Sequence, residues 1–360
     1  MSGPRIVIAA GGTAGHVVPA LTVADELRAE GAEVVFVGGA ESREAGPPPE
    51  RRLVADAGFQ LRTLRVLPLP RDRPLRAAKV AIADALATLA AWRLLGELGP
   101  DAVIGGGGFV AGPVGLAAHM RRLPLVLTEA DSYMGLTNRL LAPFARRVCL
   151  AFPIPGRDGP RYRVTGRPVP PPASDRAAAR ERFGIAPDET CVLVFGGSQG
   201  ARSINHAAVE AFAGAQFRVL HAAGERDLPT LTAPGPHYDL RGYIPDFSQA
   251  LLASDLVVAR AGGSIFEIAA HGRPAVLIPY PYATANHQAE NAAFMARAGA
   301  AVVIGDEELS GRRLAQEVGR LLADPSLLHS MARASSELAR PDAAGEIARE
   351  LLAAARERRS

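Results

Sequence analysis

A histidine, His16, closes the stretch IVIAAGGTAGH, in which an apolar run from Ile6 stops at Gly11, Gly12 and Gly15. An imidazole titrates at about 6.5, so a histidine over a cleft can take a proton near neutrality as a general base. The same residue also suits an exposed position at the start of a helix. Glycines that turn a strand into a helix leave backbone N–H groups unpaired and let an anion come close to them. The spacing G-G-x-x-G is not the G-x-G-x-x-G of dinucleotide sites, and no Lys follows to make a P-loop. A tight strand-to-helix connection explains such a turn equally well.

The turn has an echo. VLVFGGSQGAR repeats the order of apolar run, two glycines, hydroxyl residue, variable residue and glycine, as Gly196-Gly197-Ser198-Gln199-Gly200. Ala201 then stands where His16 stands in the first loop. A third loop, Ile104 to Phe109, reads IGGGGF. It suits a substrate lying against backbone or close packing between elements. The densest polar cluster comes later: Arg260, Ser264, Glu267, Gln288 and Asn291. Ser264 and Glu267 have capping-box spacing, which alone could account for both. Gln288 and Asn291 share a helix face and suit hydrogen bonds to the hydroxyls of a sugar or ribose.

β-branched runs (RIVIAA, EVVFVGG, DAVIGGG, PLVLTEA) alternate with helical patterns, which predicts repeated βα units around parallel sheets. Prolines 153, 155, 160, 168, 170, 171 and 172 interrupt the alternation between Phe152 and Ser174, where regular structure is not expected. This segment joins the halves, and βα units resume after it. At 360 residues, two domains are the natural division. The expected domains are 1–163 and 164–340, with a helical tail at 341–360. The echo between loops predicts two similar Rossmann-like, doubly wound α/β domains with a ligand in the cleft between them.

Composition excludes several classes. A net charge of +3 is too small to argue for a nucleic-acid partner. The N-terminal apolar run is too short for a secretory segment, and Val80–Leu95 is interrupted by Asp84 and Arg93 and falls short of a membrane span. Cys149 and Cys191 lie in strand-like runs and read as small buried hydrophobes, consistent with a cytosolic protein. No D-x-D pair marks a metal site, and the acidic run Asp306-Glu307-Glu308 reads as solvated. From Leu61 to Lys79 the chain interleaves Arg62, Arg65, Arg71, Arg73, Arg76 and Lys79 with apolar residues, which suits an anionic membrane surface.

In order along the chain, GGTAGHVVPALTVADEL, IGGGGFVAGP, TEADSYMGLTNRLL, VTGRPV, FGGSQGARSIN and RAGGSIFEIAAHGRPAVLIPYPYATANHQAENA resemble the MurG family of glycosyltransferases. The resemblance implies a GT-B fold and inverting transfer of N-acetylglucosamine from UDP-N-acetylglucosamine to undecaprenyl-pyrophosphoryl-muramyl-pentapeptide in peptidoglycan synthesis. No cofactor and no metal are implied. The implied location is peripheral, on the cytoplasmic face of the cell membrane. By motif, His16 is the base, while Thr13, Gly12 and Gly15 shape the pocket near the donor diphosphate. Glu129 and Asn138 fall at acceptor-side positions. Ser198, Gln199, Ile244, Arg260, Ser264, Glu267, Gln288 and Asn291 fall at donor positions, with Glu267 as the ribose carboxylate and Gln288 a sugar-hydroxyl partner. The tail helix is expected to pack back across the domains.

The sequence departs from the family pattern at four places. Ala14 replaces a glycine of the first loop, and Thr128-Glu129-Ala130-Asp131 replaces a H-E-Q-N motif. Pro170 stands where an arginine is usual, with Arg167 as its candidate substitute among donor contacts, and the segment before Glu267 is one residue short. Three other readings remain open. One is an isomerase like UDP-N-acetylglucosamine 2-epimerase. Another is a dinucleotide oxidoreductase with Glu41 on the ribose, and the third is a non-catalytic sugar-nucleotide binder.

Overall fold

The inner strands form where most residues are apolar, because a parallel strand covered by helices on both faces has no solvent side. In the computed structural model, which describes residues 3–40, 49–66, 74–197, 200–283 and 286–359, the chain forms two compact units, Met1–Val169 with Arg340–Ser360, and Pro170–Ala339. The side chains of residues 49 and 74–82 lie outside that description.

The first unit holds β1 (Arg5–Ala9), β2 (Glu33–Gly39), β3 (Gln60–Leu64), β4 (Ala102–Gly105), β5 (Leu125–Glu129), β6 (Arg147–Leu150) and β7 (Tyr162–Val164). They pair in parallel in the order β3-β2-β1-β4-β5-β6-β7. Between them run α1 (Ala14–Ala29), α2 (Pro49–Asp56), α3 (Pro74–Leu98), α4 (Ala111–Met120) and α5 (Leu136–Leu141). The second unit begins with α6 (Arg176–Arg182). Its sheet is built from β8 (Cys191–Phe195), β9 (Arg218–Ala222), β10 (Tyr238–Arg241), β11 (Leu256–Ala259), β12 (Ala275–Leu277) and β13 (Ala301–Val303), in the order β10-β9-β8-β11-β12-β13. Its other helices are α7 (Arg202–Ala211), α8 (Phe247–Ala253), α9 (Ile265–Ala270), α10 (His287–Arg297), α11 (Gly311–Leu322) and α12 (Pro325–Leu338).

Counted within each unit, both sheets follow the order 3-2-1-4-5-6 of doubly wound folds, the first unit adding a seventh strand. The strand order therefore reverses between β1 and β4, and again between β8 and β11. At each reversal the loops leave the strand ends in opposite directions and open a crevice. The first and third glycine loops follow β1 and β4. The second glycine loop follows β8, and Arg260 to Ser264 follow β11.

The boundary falls later than 163/164. Tyr162, Arg163 and Val164 carry no proline and add to the free edge of β6, and the Thr165 and Gly166 N–H groups then both donate to the Leu150 carbonyl, at 3.0 and 3.2 Å. Regular structure thus extends into the proline-rich segment. The tail, α13 (Ala343–Arg359), belongs to the core of the first unit. Ile347, Leu351 and Leu352 are buried against Ile6, Val17 and Leu27, on the sheet face that α1 covers. Ion pairs of Glu350 with Arg147 and Arg163, at 3.0 and 3.1 Å, hold the helix against the β6–β7 edge.

Leu351 is fully buried. Leu351→Ala is expected to cost about 2–5 kcal/mol, read as a lowered denaturant midpoint of the first unit.

Candidate functional site

Two close glycine contacts and one arginine help to fix the first loop. Thr13, in extended conformation, is the N-cap of α1, and its carbonyl accepts from the His16 and Val17 N–H groups. Its hydroxyl makes no capping bond and instead lies 3.1 Å from His16 Nδ1. Gly12 needs its φ of +88° to make the turn. Ala14 is already the first residue of α1, a position any L-residue adopts, so the departure from glycine leaves the turn intact.

The third loop supplies close packing. A Cβ on Gly108 would fall 2.0 Å from the Gly11 carbonyl oxygen, and one on Gly107 would fall 2.5 Å from the His16 ring. Bare backbone at 107 and 108 is therefore what gives the first loop and its imidazole their room. Arg167 makes the remaining tie. Pro19 in α1 has no N–H to offer the carbonyl four residues back, Gly15, and Arg167 Nη2 donates to that oxygen at 2.6 Å. Burial pushes the His16 pKa below its ordinary value, and the Arg167 guanidinium pushes it further down. Asp131, the Gly11 backbone and Glu50 work in the opposite direction. The net result is an imidazole that stays neutral at pH 7.

The Gly12 N–H donates to the Glu50 carboxylate at 3.1 Å. Glu129 and Asn138 are both buried and bonded to each other. Asn138 Nδ2 donates to Glu129 Oε2 and to the Thr128 carbonyl, both at 2.9 Å, and Gly135 and Asp131 N–H groups complete the carboxylate's partners. Burial raises the Glu129 pKa against these bonds. The pair braces the loop leading into α5. Glu129 also lines, with His16, Gly15, Gly106, Thr128 and Arg167, a small cavity at the carboxyl ends of β1, β4 and β5.

In the second unit, Ser198 and Gln199 lie outside the described residues. Beside them Gly200, with φ +72°, sits so close to β9's end that a Cβ would fall 2.1 Å from the Ala223 carbonyl oxygen. A buried polar chain seats this contact. Asn205 Nδ2 donates to Ala223 O at 2.9 Å and to Asp227 at 3.2 Å, which leaves Asn205 Oδ1 to accept from His221 Nε2–H at 3.0 Å. His221 Nδ1 then accepts from Tyr238 O–H at 2.7 Å, and burial pushes the ring's pKa down to about 4.

Arg260 is engaged within its own unit. Its guanidinium is buried and donates to Asp306 at 2.6 Å, to Ser203 at 2.8 Å and to the Ile278 and Pro279 carbonyls. Asp306, expected in a solvated run, is thus the structural partner of Arg260. Ile244 is buried, so its side chain faces the interior and its backbone alone could meet a ligand. Ser264 is the N-cap residue of α9 but makes no side-chain cap bond, so the capping box is not realised. Glu267 follows in the first turn of α9. Gln288 and Asn291 share α10: Gln288 Oε1 accepts from Tyr280 N–H at 2.9 Å, which directs its Nε2 toward Gly262. Asn291 Nδ2 donates to Ala261 O at 3.0 Å, while its Oδ1 is buried with no partner among the described residues. An unmatched buried acceptor is costly and marks a place where a donor is missing.

Family models match both units: the glycosyltransferase family 28 N-terminal domain over residues 6–150 and the family 28 C-terminal domain over residues 191–347. A protein of Moorella thermoacetica is 40% identical over 94% of this chain and 96% of its own. One from Alkalilimnicola ehrlichii is 41% identical over 98% and 99%. Both are named UDP-N-acetylglucosamine-N-acetylmuramyl-(pentapeptide) pyrophosphoryl-undecaprenol N-acetylglucosamine transferase. The crystal structure of Acinetobacter baumannii MurG superposes with a TM-score of 0.75 at 28% identity, covering 97% of this chain and 99% of that one.

The electrostatics of His16 can be read directly. In an NMR titration its ring protons should report a pKa below 6.5. Arg167→Gln should move that pKa upward, since a positive charge opposing protonation is removed; an unchanged value would break the link.

Proposed function

Because the chain belongs to the MurG family within glycosyltransferase family 28, we propose that it transfers N-acetylglucosamine from UDP-N-acetylglucosamine to undecaprenyl-pyrophosphoryl-muramyl-pentapeptide, a step of peptidoglycan synthesis. The acceptor hydroxyl attacks the anomeric carbon, its proton passes to His16, and UDP departs with the bonding pair. One displacement inverts the anomeric centre and leaves a β-linkage. The observation that carries this reading is the placement of the imidazole in the lining of the cavity at the carboxyl ends of β1, β4 and β5, beside Arg167, where burial and that guanidinium both push its pKa down. A ring that is neutral at working pH can accept a proton.

On the donor side, the unmatched Oδ1 of Asn291 and the oriented amide of Gln288 offer one acceptor and one donor group to sugar hydroxyls. Glu267 serves as the ribose carboxylate and Ser264 as a neighbouring hydroxyl partner. The second glycine loop, with Ser198 and Gln199, and the backbone at Ile244 complete donor recognition. Thr13 and Gly15 set the position of His16, and Arg167 tunes it, so these residues act on the base rather than on the diphosphate. Arg260 acts at one remove, holding the β11 and β12 ends together. Relatives near 40% identity over almost their whole length carry a transferase name, which favours transfer over the epimerase reading.

The acceptor's lipid requires a membrane surface, and no helix among the described residues is long and apolar enough to cross one. Arg62 pairs with Glu97 at 3.5 Å, and residues 67–73 with the side chains of Arg76 and Lys79 lie outside the described residues. The described surface of the first unit adds a second feature. The faces of α3, α4 and α5 turned away from the sheet expose Leu89, Trp92, Met120, Leu140 and, just beyond, Phe144. Their inward faces are core. Exposed Arg93, Arg122 and Arg139 accompany this apolar face, and an apolar patch with a basic fringe suits reversible binding to anionic lipid on the cytoplasmic leaflet.

Labelled N-acetylglucosamine should pass from UDP to a short-chain lipid-linked muramyl-pentapeptide, and His16→Ala should lower kcat roughly 100-fold or more. Full activity of that variant would refute the base, and acceptor-free conversion to another sugar nucleotide would revive the epimerase reading. Binding to anionic liposomes should fall with salt, and each of Arg93→Ala and Arg139→Ala should weaken it by about 1 kcal/mol at low salt. Indifference to anionic lipid would count against the membrane contact.

A further inference from the structure

Glu50 stands in the first turn of α2 and is completely buried. A carboxylate taken out of water is unfavourable unless hydrogen bonds replace its hydration. Here they come from backbone. Glu50 Oε2 accepts from Gly12 N–H at 3.1 Å, and Oε1 accepts from Gly39 N–H at 2.9 Å. One carboxylate therefore joins the turn after β1 to the end of β2.

Two of the glycines around it, Gly11 and Gly38, leave it room. A Cβ on Gly11 would fall 2.5 Å from Glu50 Oε1, and one on Gly38 would fall 2.8 Å from its Cγ. A side chain at either place would expel the carboxylate. The Gly11-Gly12 pair of the first loop and the Gly38-Gly39 pair ending β2 thus form a cradle for an anion, and the protein's own glutamate occupies it.

The cradle lies one residue from the catalytic turn. Gly12 N–H is held by Glu50, Thr13 follows as the N-cap of α1, and the Thr13 hydroxyl meets His16 Nδ1 at 3.1 Å. We infer that Glu50 is a positioning residue for transfer: its carboxylate fills the anion cradle of the first glycine loop from within the protein and so fixes the turn that presents His16. The inference rests on the reading of His16 as the base. It gives the first loop a different use from a phosphate loop, because the N–H at Gly12 is committed before any ligand arrives. Glu50 also lies among the groups whose charge supports protonation of His16, together with Asp131 and the Gly11 backbone and against Arg167.

The test compares wild type, Glu50→Gln, Glu50→Asp, His16→Ala and the double variant Glu50→Gln/His16→Ala in the transfer assay. A small misplacement of a base is costly, so Glu50→Gln should lower kcat about 10- to 100-fold, with KM for UDP-N-acetylglucosamine unchanged. The acidic limb of its pH profile should move to lower pH, because a negative charge near the imidazole is lost. Glu50→Asp keeps the charge but falls one methylene short; it should lower kcat and leave the limb in place. In the His16→Ala background, Glu50→Gln should cost nothing further, since the two residues act as one unit. An equal loss in both backgrounds, or wild-type kcat and limb with only a lowered Tm, overturns the inference while the base stands. Full activity of His16→Ala overturns the base and the inference together. Hydrogen exchange adds a readout free of activity: Gly12 and Gly39 amides should be protected in wild type, and at least one should lose protection in Glu50→Gln. Unchanged protection at both sites overturns the hydrogen-bond assignment.

Discussion

Everything about the first site depends on how closely two stretches of backbone can approach where β1 and β4 part. Gly108 lies on the Gly11 carbonyl and Gly107 on the His16 ring, at separations that no side chain allows. With one methyl group added at either place, the loop or the imidazole must move. Glycine is thus used here for contact, and the conformational freedom it brings is a cost that the tight packing offsets. The ring lies against bare backbone at Gly107, so its place depends on the lack of a side chain there.

The two units share strand order and a glycine turn after the central strand, yet the turns are stabilised differently. In the first, a buried glutamate occupies the N–H of Gly12, and an arginine takes the carbonyl that Pro19 leaves unpaired. In the second, Gly200 rests on the Ala223 carbonyl, and a directed chain from Tyr238 through His221 to Asn205 holds that carbonyl in place. A common topology fixes where a crevice opens. The side chains packed beneath each loop decide what the crevice can hold.

Much of the framework was legible beforehand. The apolar runs of β1, β2, β8 and β11 mark buried parallel strands, because alternation disappears when both faces are covered. The Gly-Gly turns mark the strand ends, and Gln288 and Asn291 do share a face of α10. β7 was obscured by the prolines that flank it, since edge pairing depends on an available neighbour rather than on local composition. The tail helix was visible as an apolar stripe, but not that its stripe completes the core of the first unit.

Sequence by itself determined the strand and helix pattern, the glycine turns and the kinds of chemistry available, because these follow from local geometry and side-chain type. Only the tertiary structure decided which polar residues are already spoken for. Arg260 and Asp306 are 46 positions apart and neutralise one another; Glu129 is consumed by Asn138 and two backbone N–H groups; Glu50 occupies the turn at Gly12. Hydrogen bonds and ion pairs are satisfied by whatever the fold brings within 3 Å or so, and sequence separation carries no trace of that distance. What distinguishes a residue free to meet a substrate from one that braces the site is therefore set by packing.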